Sequence, residues 1–171
     1  MKKKQTKGLS EKEVGIISWL EFHERYFFTI PDVSSFFRDR MQRYNVIKNL
    51  TGKGRIVRLN RTKYYLVPIK AKSGGWSEHP FIIADEACNG RDYFIGGWAA
   101  ANYWKLTDQV PVRIDVYTTR RQGEAAMLST RIIFHRTSKK RLGKSVIKSV
   151  QGHDFRMLSK KETRKWMKSR Q

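Results

Sequence analysis

Within the first seventy residues the apolar side chains change their spacing once, and that change limits what the segment can fold into. Up to Leu50 they recur at helical intervals, and from Ile56 to Val67 they run as two short extended segments. Ser10 followed by Glu13 fits a capping box, and Val14, Ile17 and Leu20 then repeat at helical spacing, so a first helix is expected over 10–25. Tyr26, Phe27 and Phe28 are expected to close it by packing inward. Thr29 or Ile30 stands where a cap belongs and Pro31 near a first turn, where a missing N–H costs little; Val33, Phe36 and Phe37 give the short second helix one apolar face. Arg38-Asp39 makes a turn in which Asp39 caps a third helix, and Val46, Ile47 and Leu50 form its inward stripe. Gly52 and Gly54 end that helix. Residues 56–59 and 64–67 read as strands around the polar turn Asn60-Arg61-Thr62-Lys63.

A first helix, a short second helix, a third helix and a β-hairpin with a basic tip make the layout of a winged helix-turn-helix over 10–70. In that layout the third helix enters a DNA major groove and the wing lies along phosphate or minor groove. The candidate DNA-contacting side chains are Arg38, Arg40, Gln42, Arg43, Tyr44, Asn45, Lys48 and Asn49 in and before the third helix, with Lys53 and Arg55 after it. Arg58, Asn60, Arg61, Thr62 and Lys63 extend the set along the wing. They are donors and forks suited to base edges and phosphates. Arg43 falls four residues before Ile47 and is expected to lie partly inward.

Charge supports a polyanionic partner. The chain has 36 Lys and Arg against 15 Asp and Glu, a net charge of +21. Residues 1–70 hold 16 basic and 6 acidic side chains, residues 71–119 hold 4 and 6, and residues 120–171 hold 16 and 3. A merely solubilising surface mixes signs throughout; here two basic ends flank a near-neutral middle. Residues 1–9 read as a basic tail. Met1-Lys2-Lys3-Lys4 is followed by no apolar leader, and no apolar run nears the roughly 18 residues of a membrane span, so a cytoplasmic location is expected. Cys88, the only cysteine, excludes an intrachain disulfide and reads as a small buried residue.

Residues 71–75 read as a linker between two domains. Over 76–158 a small mixed α/β domain is expected, making the whole chain α+β. Its expected elements are a helix from His79-Pro80 to Cys88, a strand Tyr93–Ile95, an alanine-rich helix Trp98–Trp104, and strands at Val112–Val116, Thr130–Phe134 and Val146–Val150. Ser159 with Glu162 suggests a second capping box, opening a basic C-terminal helix within 159–171. The run Tyr93-Phe94-Ile95-Gly96-Gly97-Trp98-Ala99-Ala100-Ala101-Asn102-Tyr103-Trp104-Lys105-Leu106-Thr107-Asp108-Gln109-Val110-Pro111 resembles the central segment of AbiEi-type antitoxins, and Val116-Tyr117-Thr118-Thr119-Arg120-Arg121 resembles the strand that follows there. The resemblance covers roughly residues 10–158. It implies a winged-helix transcriptional regulator, a repressor of its own toxin–antitoxin operon, with a C-terminal domain that supplies antitoxin activity without evident direct contact with the toxin. The chain departs from the family at Lys105, where a glycine is usual, and in ending on a basic helix where many members continue with acidic and leucine-rich sequence. A role confined to transcription regulation fits that shortening.

Catalytic signals are sparse, and no enzyme activity is expected. His23, His79, His135 and His153 lack metal-ligand spacing, and one cysteine excludes a zinc finger, so neither a metal nor a cofactor is expected. His79 reads as a helix-start residue, and Gly96-Gly97 as a device for close packing ahead of an anion site. A metal-dependent nuclease would draw on Glu86, Asp92, Asp108 and Asp115; Asp115 is the best of these, although a strand's outward polar position explains it as well. Lys139, Lys140, Arg141, Lys144, Lys160, Lys161 and Arg164 are candidate secondary phosphate contacts, and Trp166 anchors the last helix. The expected partner is a double-stranded promoter or inverted repeat, met by a homodimer, because one small reading unit buries limited surface. The alternative is a basic RNA- or ribosome-associated protein.

Overall fold

The computed structural model describes residues 8–68 and 78–170; the expected linker 71–75 and nearly all of the basic tail lie outside them. The chain divides into two compact units, Met1–Trp76 and Ser77–Gln171, and together they are a mixed α+β protein.

The first unit runs α1 (Glu11–Phe22), β1 (Phe27–Thr29), a 3-10 helix (Pro31–Phe36), α2 (Arg40–Gly52), β2 (Ile56–Arg58) and β3 (Lys63–Leu66). Ser10 and Glu13 make the complete capping box at α1. The helix stops three residues before the expected end because Glu24 turns left-handed at φ 53° and the Arg25 N–H returns to the Leu20 carbonyl. Tyr26-Phe27-Phe28, expected to pack as the tail of that helix, instead leads into β1: Phe27 pairs with Tyr65 and Phe28 with Tyr64. The expected second helix is a single 3-10 segment with Pro31 at its start. Asp39 caps α2 by accepting the Gln42 N–H at 2.8 Å, worth about 1 kcal/mol. Beyond α2, Gly54 takes φ 70°, which a side chain would resist, and aims the chain into β2. The three strands pair antiparallel in the order β1-β3-β2. Ile16, Ile17, Leu20, Phe28, Val33, Leu50, Ile56 and Leu66 fill the core.

Glu13 fixes α1 against the end of α2. It is 1% exposed, and Lys53 donates to its Oε2 at 2.6 Å. Burial pushes this carboxyl up, but the Lys53 and Ser10 hydrogen bonds outweigh burial and hold it below the ordinary range.

The second unit runs α3 (Pro80–Ala87), β4 (Tyr93–Gly96), α4 (Gly97–Tyr103), β5 (Ile114–Thr118), β6 (Gly123–Met127), β7 (Thr130–Arg136), α5 (Lys139–Leu142), β8 (Ser145–Val150), β9 (His153–Leu158) and α6 (Lys160–Lys168). Its six strands form one mixed sheet in the order β6-β7-β5-β4-β9-β8, with β5–β7 and β4–β9 parallel. His79 starts α3 as expected, its Nδ1 accepting the Phe81 N–H. Strand β5 begins at Ile114, two residues later than expected: the pairing ladder reaches only Ile114 and Asp115, leaving Val112 92% exposed. β6 and α5 are not among the expected elements. β6 is Gly-Glu-Ala-Ala-Met, poor in strand-forming residues, and exists because its hairpin with β7 pairs all five positions. Tyr93, Ile95, Val116, Ile132, Phe134, Phe155 and Met157 make the core.

Candidate nucleic-acid interface

Helix α2 has one face in the core and one in solvent. Leu50 is buried, Val46 and Ile47 lean on the core, and Met41, Tyr44, Asn45, Lys48 and Asn49 are exposed. Between α2, the 3-10 helix and the β2–β3 hairpin lies a groove of about 980 Å³. Arg40, Arg43, Tyr44 and Lys48 line it from α2, Arg58 and Tyr64 from the hairpin, and Ile30, Pro31, Ser34 and Ile47 are among its remaining walls. No carboxylate belongs to that lining. Within the described residues the Arg40 and Arg43 side chains make no hydrogen bond or ion pair. Lys48 lies over the Tyr44 ring at 5.8 Å, and Arg58 over Tyr64 at 6.0 Å.

Other candidates from the sequence are already engaged in the fold. Gln42 Oε1 accepts from Lys12 Nζ at 3.0 Å and from the Arg38 N–H at 2.9 Å, tying α2 to α1. Lys53 is held by Glu13 and the Gly8 carbonyl. Asn60 Oδ1 accepts from the Thr62 N–H, the Thr62 hydroxyl and the Lys63 N–H, forming the hairpin turn. Arg58 donates to the carbonyls of Asn60 and Arg61, bracing the same turn. Arg55 is half-buried, with Nε and Nη2 shielded from solvent and unpartnered. Arg38, Arg61 and Thr62 are exposed, and Lys63 sits half-buried at the start of β3.

The basic end of the second unit is arranged differently. Lys139, Lys140, Arg141, Lys144, Lys160, Lys161 and Arg164 are all exposed. Yet Glu162 binds both Lys144 at 2.8 Å and Lys165 at 3.2 Å, which holds its carboxyl below the ordinary range. Ser159 caps the Glu162 N–H, but the carboxylate turns to these lysines, so only half of the expected capping box forms. Lys148 lies over Trp104, and Arg170 over Trp166. Trp166 packs edge-on against Trp98 and so joins α6 to α4.

Two polar clusters join residues far apart in sequence. Asp115, expected to point outward, is 6% exposed, and its Oδ1 meets His135 Nε2 at 2.8 Å. Its carboxylate presses on Gly97, where a Cβ would come within 2.8 Å of Oδ2; at Gly96 a Cβ would come within 2.7 Å of the Tyr117 ring. The glycine pair is therefore required for close packing, as its sequence suggested. Phe94, Tyr117 and His135, register neighbours on β4, β5 and β7, stack in a row. In the second cluster Asp85 accepts from the Tyr93 hydroxyl at 2.6 Å and meets His153 Nε2 at 3.0 Å. Glu86 lies close enough for the three to share an ion, a grouping invisible in sequence because 68 positions separate Asp85 from His153. Asp85 is satisfied by its two protein partners without one. Burial pushes the Cys88 thiol up to about 12, so it stays protonated and unreactive at neutral pH.

No family model matches the chain, and no curated protein matches it. No helix among the described residues is long and apolar enough to cross a membrane.

Proposed function

We propose that this protein is a sequence-specific binder of double-stranded DNA that acts as a transcriptional regulator, with the first unit working as a winged helix-turn-helix. The order helix, strand, short helix, helix, hairpin, with β1 paired to the hairpin's second strand, supports that assignment. The observation that carries the reading is the groove beside α2: four cations and two tyrosines, no carboxylate, and two arginines that the fold leaves unpaired. Unpaired guanidinium groups lining a groove beside a helix are the chemistry that meets phosphates and guanine edges.

In this reading α2 lies in the major groove with Arg40, Arg43, Tyr44, Asn45, Lys48 and Asn49 toward the DNA. Arg61 and Thr62 at the hairpin tip meet the backbone. Gln42, Lys53 and Asn60 leave the contact set, because their polar atoms hold the unit together. The resemblance of residues 93–121 to AbiEi-type antitoxins supports repression of the protein's own operon, and a single small reading unit favours binding as a pair on an inverted repeat. Footprinting on the DNA upstream of the gene tests this. A protected stretch with two half-sites about one helical turn apart is expected. Equal affinity for that duplex, unrelated duplexes and structured RNA would overturn it.

A further inference from the structure

We infer that the groove between α2 and the hairpin also binds a small ligand, a nucleoside diphosphate, and that this ligand and DNA exclude one another. The inference rests on the DNA-binding reading for its regulatory consequence; the site itself stands on the groove alone. Its volume of about 980 Å³ falls at the upper end of the range of small-molecule sites. A rim of cations suffices for tracking a phosphate backbone, but this hollow has in addition a floor built on Ile30 and Ile47 and an aromatic wall at Tyr44. Such a floor takes a flat, largely apolar body. Tyr44 is 60% exposed, and a base can stack on its ring where the Lys48 ammonium now lies at 5.8 Å.

The charge around the floor selects the rest of the ligand. Arg40 and Arg43 stand one turn apart on α2 with their guanidinium groups unpaired, and Arg58 faces them across the groove from β2. Unopposed guanidinium forks match two adjacent phosphates, each able to take a bidentate pair of hydrogen bonds. A base on Tyr44 and a diphosphate on Arg40 and Arg43 together use the apolar floor and the cations, which neither a free base nor a bare phosphate does. Because Arg40, Tyr44 and Lys48 are also the proposed DNA contacts, occupancy by one ligand removes the other.

The test uses the full chain and calorimetric titration with ADP, adenosine and inorganic pyrophosphate at physiological salt. ADP is expected to bind one per chain, at least tenfold tighter than adenosine and than pyrophosphate. Tyr44→Ala and Arg43→Ala should each weaken ADP at least tenfold, whereas Arg91→Ala, an equal loss of charge on the second unit, leaves it unchanged. Both Tyr44 and Arg43 lie outside the buried core, so each variant is expected to fold, which circular dichroism checks. ADP binding no tighter than pyrophosphate, or lowered equally by Arg91→Ala, would reduce the site to general polyanion attraction and overturn the inference. A parallel anisotropy titration with a labelled duplex separates the two claims. ADP at ten times its dissociation constant should weaken duplex binding about tenfold by simple competition. ADP binding without any duplex binding would keep the site and remove the DNA reading; duplex binding that ADP does not displace would overturn mutual exclusion.

Discussion

The two basic ends of this chain carry similar net charge and place it differently. In the first unit Arg40 and Arg43 face a groove with no carboxylate in its lining, so their charge is unspent. In the second, Glu162 draws in Lys144 and Lys165 and two further cations lie over tryptophan rings, while Lys139, Lys140, Arg141, Lys160, Lys161 and Arg164 are exposed on the surface with no carboxylate among the described residues paired to them. Net charge measures attraction at a distance; which side chains can exchange water for phosphate depends on which of them the fold has left without partners.

Four predictions press on that contrast, with the substitutions taken from the largest effect to the smallest. Glu13→Ala strands the Lys53 ammonium beside the core and should cost about 3–5 kcal/mol in denaturant unfolding of the first unit. The same pair sets an acid limit. Because the folded-state pKa of Glu13 is depressed, its contribution is fully present above its unfolded value and is lost as pH falls through the lower folded value. An acid titration in which Glu13→Gln destabilised the protein equally at every pH would contradict this. In the second unit, Asp115→Asn gives up a charge-assisted bond to His135 and should cost about 1.5–3 kcal/mol without changing DNA affinity. Smallest of all, Lys144→Ala should cost under about 1 kcal/mol of stability, because the pair is exposed and Lys165 still serves Glu162.

The order of elements in the first unit was legible in the sequence because capping residues, helical spacing and the turn at Asn60 are local signals. What local signals missed were features that depend on a neighbour. Phe27-Phe28 joins a strand only because Tyr64-Tyr65 lies alongside, and β6 forms only because β7 pairs with it. The candidate interface shows the same division. Arg40, Tyr44 and Lys48 were identified by residue type on an exposed helix face, and the structure brings them to one groove. Gln42 and Lys53 have the same kind of chemistry, yet their partners Lys12 and Glu13 lie 30 and 40 positions away, so their engagement could not be read from the chain. Asp115 misled for the converse reason: a polar residue on a strand normally faces water, and this one is buried because His135 and the glycine pair receive it.

The most direct test of the central claim compares two double variants by fluorescence anisotropy on one duplex carrying the footprinted sequence. Arg40→Ala/Arg43→Ala is expected to lose about two orders of magnitude in affinity, since each well-placed arginine contact is worth about 1–3 kcal/mol. Lys144→Ala/Lys165→Ala, which removes the same formal charge from the two lysines paired with Glu162, is expected to lose less than threefold. Equal losses in the two variants would show that overall charge carries the binding, and would contradict a groove beside α2 that reads DNA.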